Sequence, residues 1–113
     1  VDDDGGYDFT RIQDAIAKAS PGDTIFVYNG TYEENLEMDK GNLAIAGEDK
    51  HITIINQTDR HKNAIIIDNA DYVTIKGFSI FSTGNGIVLF GASNCNISNN
   101  KIESDDSGIL LWE

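Results

Sequence analysis

Val73-Thr74-Ile75-Lys76-Gly77-Phe78-Ser79-Ile80 is answered 22 positions later by Cys95-Asn96-Ile97-Ser98-Asn99-Asn100-Lys101-Ile102. Gly86-Ile87-Val88-Leu89-Phe90 is answered at the same offset by Gly108-Ile109-Leu110-Leu111-Trp112. Apolar falls on apolar, glycine on glycine, and aromatic on aromatic. A constant short period of this kind marks a solenoid, in which one unit cannot bury its apolar side and must stack on the next. Within a unit, Val73 with Ile75, then Ile80, then Ile87 with Leu89 keep a spacing of two, the period of a strand with one buried face. The runs are too short for helices and rich in residues that suit strands. Glycine and asparagine fall between them, where bends need left-handed backbone. Three strands and three bends in about 22 residues make one coil of a parallel β-helix. Stacked about 4.8 Å apart, such coils set Ile75 on Ile97 and Ile80 on Ile102. A leucine-rich repeat has a similar period, but needs leucines and a helical return limb that this pattern does not offer.

Working outward, Ala64-Ile65-Ile66-Ile67 matches Gly86 to Leu89 at 22, while Ile52 and Ile54 match Val73 and Ile75 at 21. The second match implies a one-residue change in the bend Asp59-Arg60-His61-Lys62. Leu43 to Gly47 and Thr24 to Tyr28 read as earlier strands, with Asn29-Gly30 as a turn, giving four to five coils in all. Before them Phe9, Ile12, Ala15, Ile16 and Ala19 share one helical face. Asp8 or Thr10 is the expected N-cap, and Ser20-Pro21-Gly22 the stop. The expected organisation is therefore an N-terminal capping segment with its helix over residues 1–22 and β-helix coils over 23–113, their last end uncapped or truncated.

The formal net charge of −11 and only two arginines, Arg11 and Arg60, exclude a nucleic-acid partner, which needs clustered cations. No apolar run reaches membrane-spanning length. Without an initiating Met the sequence reads as a processed chain or an excised module. Cys95 aligns with Val73, so it is expected inside as an inert small hydrophobe.

The opening Asp2-Asp3-Asp4-Gly5-Gly6-Tyr7-Asp8-Phe9-Thr10-Arg11-Ile12-Gln13-Asp14-Ala15-Ile16 is followed by Gly22-Asp23-Thr24-Ile25 and Asn29-Gly30-Thr31-Tyr32-Glu33-Glu34-Asn35. Together they resemble the start of the pectin-lyase-like right-handed parallel β-helix superfamily. Within it the chain resembles the NosD-like cell-surface proteins of methanogenic archaea, whose coils carry the pattern seen from Ile97 to Leu111. The resemblance spans nearly the whole chain. It implies a right-handed parallel β-helix on an extracellular or cell-surface protein and leaves the chemistry open, since pectinesterases share the opening phrase.

No catalytic constellation is legible. Asp105-Asp106 read as solvated acids of a bend, and Arg60-His61-Lys62 is a basic cluster without an acidic partner at matching offset. Asp2-Asp3-Asp4-Gly5-Gly6 lacks the spacing of a calcium loop. His51, His61, Met38 and Cys95 do not form a copper set. No cofactor or metal site is therefore expected. Three Asn-x-Ser/Thr sequons, at Asn29, Asn56 and Asn96, are candidate glycosylation sites, and Asn96 should face outward. Tyr28, Tyr32, Phe81 and Phe90 are candidate faces for sugar stacking, with several of them expected to pack inside or between coils instead, and Asn99-Asn100 a turn with an asparagine stack. Leu111 and Trp112 lie on a strand edge open to another chain. The expected role is a non-enzymatic structural or adhesive surface protein that assembles with itself into a filament or sheath, or that contacts cell-surface polysaccharide. The alternative is the first part of a longer polysaccharide-binding or polysaccharide-modifying β-helix.

Overall fold

Each alternating apolar run forms a short strand, and the chain turns a corner after every one. The computed structural model describes residues 1–2, 8–59 and 61–112. Most of the acidic opening (Asp3 to Tyr7), Arg60 and Glu113 lie outside the described residues. Helix α1 (Ile12–Lys18) comes first. Coil 1 is β1 (Thr24–Val27), β2 (Gly30–Tyr32) and β3 (Leu36–Met38). Coil 2 is β4 (Ala44–Gly47), β5 (Thr53–Gln57) and β6 (Ile65–Asp68). Coil 3 is β7 (Thr74–Lys76), β8 (Ser79–Ser82) and β9 (Ile87–Phe90). Coil 4 is β10 (Asn96–Ser98), β11 (Lys101–Ser104) and β12 (Ile109–Trp112). Like strands stack into three parallel sheets of four: sheet A is β1-β4-β7-β10, sheet B β2-β5-β8-β11, and sheet C β3-β6-β9-β12. The fold is a parallel β-solenoid of four coils.

Coils 3 and 4 keep the offset of 22 in all three sheets, with Ile75 on Ile97, Ile80 on Ile102 and Ile87 on Ile109. Between coils 2 and 3 sheet C keeps the offset of 22, with Ile65 on Ile87 as expected, while sheets A and B depart from it. Ile45, not Ile54, stacks on Ile75, and Ile55 stacks on Ile80. The match of Ile52 and Ile54 to Val73 and Ile75 is thus corrected. Coil 2 takes ten positions from Ile45 to Ile55, where coil 3 takes five from Ile75 to Ile80. The extra residues form the turn before β5, and Ile52 is left half exposed there.

The core is a set of inward ladders. Ile25, Ile45 and Ile75 run down sheet A, Tyr32, Ile55 and Ile80 down sheet B, and Leu36, Ile65 and Ile87 with Met38 and Ile67 down sheet C. Each fully buried isoleucine contributes about 1.5–3 kcal/mol relative to exposure. Thr53 and Gln57 also point inward, and their polar atoms are paired: Thr53 Oγ1 donates to Asn29 Oδ1 at 3.0 Å and Gln57 Nε2 to Lys62 O at 2.7 Å. Burial fades in coil 4, where Cys95, Ile97 and Ile102 are only half-buried. Cys95 is accordingly not the sealed core thiol expected, because no strand among the described residues lies beyond it.

α1 buries Ile12, Ala15 and Ile16 over coil 1. Its N-cap is Arg11 in extended conformation, and the expected caps Asp8 and Thr10 do not serve. The buried carboxylate of Glu34 does, accepting from Ile12 N at 2.9 Å and Gln13 N at 3.0 Å. At the other end Lys40 Nζ donates to the carbonyls of Ala17 at 2.7 Å and Ile16 at 3.1 Å. The Gln13 amide then acts as a one-residue strand on the edge of β3, accepting from Glu37 N at 2.8 Å and donating to Glu37 O at 3.1 Å. Val1 does the same for β1: its ammonium donates to Phe26 O at 2.7 Å, and its carbonyl accepts from Tyr28 N at 2.8 Å. Burial pulls the pKa of that amine below its ordinary value. Two of the three first edges are in this way occupied, as edges must be to avoid stray pairing.

The corner leading into sheet A repeats one backbone state. Gly22, Asn42, Tyr72 and Asn94 all have positive φ. Glycine and asparagine accept it, whereas an aromatic residue costs roughly 1 kcal/mol there. Tyr72 is 60% exposed, so its ring contributes little packing in return. Tyr72→Asn is expected to raise stability by about 0.7 kcal/mol, a rise of roughly 3 °C in Tm. An unchanged or lower midpoint in thermal unfolding would show that the ring has a structural contact to lose.

Candidate functional site

The surface distinguished by the fold is the side of coil 4 that faces away from coil 3. β10, β11 and β12 are the last strands of their sheets, so their outer N–H and C=O groups have no strand partner among the described residues. Ile109 and Leu111 continue the inward ladders of Ile87 and Leu89, yet are 52% and 57% exposed. With Cys95, Ile97 and Ile102 they form an apolar end face. Beside it Lys101 and Glu103 pair with each other at 3.5 Å, and the exposed Asp105 and Asp106 follow at the next corner.

The two candidate edge residues separate. Leu111 belongs to this end face, on the inward ladder. Trp112 is on the opposite side of β12, in line with Phe90 on the outer face of sheet C. Their rings lie 6.0 Å apart at 59°, a tilted pair. Of the other aromatics, Tyr32 is corrected from surface to core: its ring is buried and its hydroxyl donates to Tyr28 O at 2.8 Å. Tyr28 packs edge-on against the exposed ring of Phe26 at 4.9 Å. Phe81 is half-buried on the outer face of sheet B.

The asparagines divide too. Asn99 takes the left-handed turn position. Asn100 does not stack on another asparagine but braces coil 3, accepting from Phe78 N and donating to Ile75 O, both at 3.0 Å. The side-chain ladder lies instead at the corner before sheet C, where Asn85 Nδ2 donates to Asn63 Oδ1 at 3.2 Å and Ser107 N donates to Asn85 Oδ1 at 2.9 Å. Sequence reasoning missed it, although Asn63 and Asn85 share the 22-residue offset of the Gly86 strands.

Asp105 and Asp106 are exposed and line a shallow hollow with Thr58 and Thr83. No basic side chain among the described residues lines that hollow. Among the described residues no helix is long and apolar enough to cross a membrane.

A family model described as "Periplasmic copper-binding protein (NosD)" matches residues 16–113. The chain is 36% identical over 107 residues to a "Cell surface glycoprotein" of Methanothermus fervidus (strain ATCC 43054 / DSM 2088 / JCM 10308 / V24 S), covering 93% of this chain. It spans 17% of that relative's length. No solved structure matches it. The residues present do not fit the copper of the family description. Met38 is fully buried in the core, Cys95 is half-buried in coil 4, and His51 and His61 are exposed at different corners. Among the described residues no three His, Cys, Asp or Glu side chains gather to hold an ion.

Proposed function

This chain belongs to the NosD family, and from that premise we propose that it is a structural segment of an extracellular surface protein that associates through the end face of coil 4. Its surface role is supported by the likeness to the surface glycoprotein named above. The association is carried by one observation: Ile109 and Leu111 stand on the core ladders yet stay more than half exposed. A β-solenoid end of this kind offers apolar area and unpaired strand edges at once. At the opposite end α1 lies over coil 1, and Val1 and Gln13 already occupy the first edges of sheets A and C. A head-to-tail filament needs two complementary ends, whereas a two-fold pair uses one patch twice. The unit of assembly is accordingly a pair joined by coil-4 faces, with any larger sheath built by further contacts between pairs.

Sedimentation and electron microscopy of the purified chain test this. The expected species has twice the 12.3 kDa chain mass, and Leu111→Asp should return it to the single-chain mass. Trp112→Ala, on the outer face, should leave the pair intact. Raising the salt should strengthen pairing, because two bodies of formal charge −11 repel at long range. A single-chain mass at high protein concentration and high salt would sink the association.

The polysaccharide-modifying reading has less support. Its one candidate pair, Asp105 and Asp106, consists of exposed neighbours in a bend, and among the described residues only Thr58 and Thr83 join them in that hollow. Release of reducing or unsaturated sugars from acidic polysaccharide by the purified chain would favour it.

A further inference from the structure

We infer that Asn96 is an N-glycosylation acceptor and that Asn29 and Asn56, which carry the same sequence signature, are not. The inference rests on the extracellular reading and adds the attachment point to it. Side chains two apart on a strand project to the same side. In β10 that rule sets the Asn96 amide beside the Ser98 hydroxyl on the outer face of sheet A, and both residues are exposed. Ile97 between them packs on the core, and the strand is held in register against Thr74 and Lys76 of coil 3. No protein group hydrogen-bonds the Asn96 side chain among the described residues. A bulky substituent on its Nδ2 therefore projects to solvent without disturbing the coil.

The other two sequons are committed to the fold. Asn29 is half-buried at the corner between β1 and β2, where its Oδ1 accepts from Thr53 Oγ1 at 3.0 Å. That hydroxyl in turn accepts from Asp49 N at 3.0 Å, so the Asn29 amide is fixed in a half-buried corner shared by two coils, where a transferase reaches Nδ2 less readily than on an exposed strand face. Asn56 is half-buried beside Phe81 on sheet B and lines a hollow with Glu33 and Glu34. A glycan there meets side chains within its first ring.

The step joins Asn96 Nδ2 to the anomeric carbon of a lipid-phosphate-linked oligosaccharide. The bond from that carbon to the phosphate oxygen breaks, and its electron pair leaves with the lipid phosphate. One Nδ2 proton passes to a base of the transferase, and nothing is oxidised or reduced. Donor and transferase come from the export pathway.

The full chain should be expressed behind a cleavable leader in a host whose secretory pathway N-glycosylates, then examined by intact mass and peptide mapping. One glycan on the peptide that holds Asn96 is expected, absent from Asn96→Gln and Ser98→Ala and retained in Asn29→Gln and Asn56→Gln. An unmodified chain, or a glycan on Asn29 or Asn56, would overturn the inference. The leader imposes export, so either result leaves the surface reading to its own test, surface labelling of the native protein.

Discussion

Glu34→Ala is expected to lower the stability of the fold by about 3 kcal/mol. The carboxylate is buried and accepts two backbone hydrogen bonds at the start of α1, from Ile12 and Gln13. Removing it leaves two N–H groups unpaired, one of them in a buried bond, each at a cost of about 1–3 kcal/mol. It also strips a negative charge from the positive end of the helix dipole. For a chain of this size the loss corresponds to a fall of roughly 12 °C in Tm. Glu34→Gln keeps one acceptor and should lose about half as much. Lys40→Met acts on carbonyls near the surface, which water can satisfy, and should cost under about 1 kcal/mol. Urea unfolding followed by circular dichroism ranks the three. If Glu34→Ala fell within about 0.5 kcal/mol of the parent, the helix would not depend on this carboxylate.

Gly86→Ala and Gly108→Ala are expected to have opposite signs although they occupy the same place in successive coils. A methyl group at Gly86 would lie 2.5 Å from Gly108 O and 2.7 Å from Ile102 Cγ2. Both belong to the stacked coil, so the coil itself must shift, and the expected loss is about 3 kcal/mol. At Gly108 the nearest atom to such a methyl is Ile102 Cγ2 at 3.9 Å, an ordinary contact. Neither glycine is among those with positive φ. Gly108→Ala should therefore stabilise by about 0.5 kcal/mol, through the unfolded chain. Thermal unfolding of the two variants under dilute, unpaired conditions gives the comparison directly. Equal losses would mean that something covers coil 4 as closely as coil 4 covers coil 3.

The solenoid was legible from Val73 onward because coils 3 and 4 have corners of equal length, so a fixed offset finds every partner. Leu43 to Gly47 was legible as a strand, but the register from Glu48 to Asn63 was not, and Ile54 shows why. The alternation rule takes apolar side chains as inward, but in β5 the inward residues are Thr53, Ile55 and Gln57. Buried polar groups cost little once hydrogen-bonded, and here each finds a partner across a corner. Ile54 was thus a decoy on the outer face. The helix caps were illegible for a different reason. Glu34 reaches α1 across 22 positions and Lys40 across 23, whereas capping rules look only within a turn. Of the surface features, Leu111 and Asn96 could be oriented from the repeat alone. The division between Leu111 and Trp112 needed the strand to be seen with nothing stacked beyond it.

The constant offset between the last two coils has a consequence for how such chains change over generations. All three sheets advance by the same 22 residues there, so a duplicated stretch of that length enters as one whole coil. Every hydrogen bond already present keeps its partner, and the new coil meets neighbours like those its parent met. Each copy lengthens the rod by about 4.8 Å. Reach becomes a matter of counting copies, and a lineage can extend or shorten it in whole steps while the helix-capped end stays as it was.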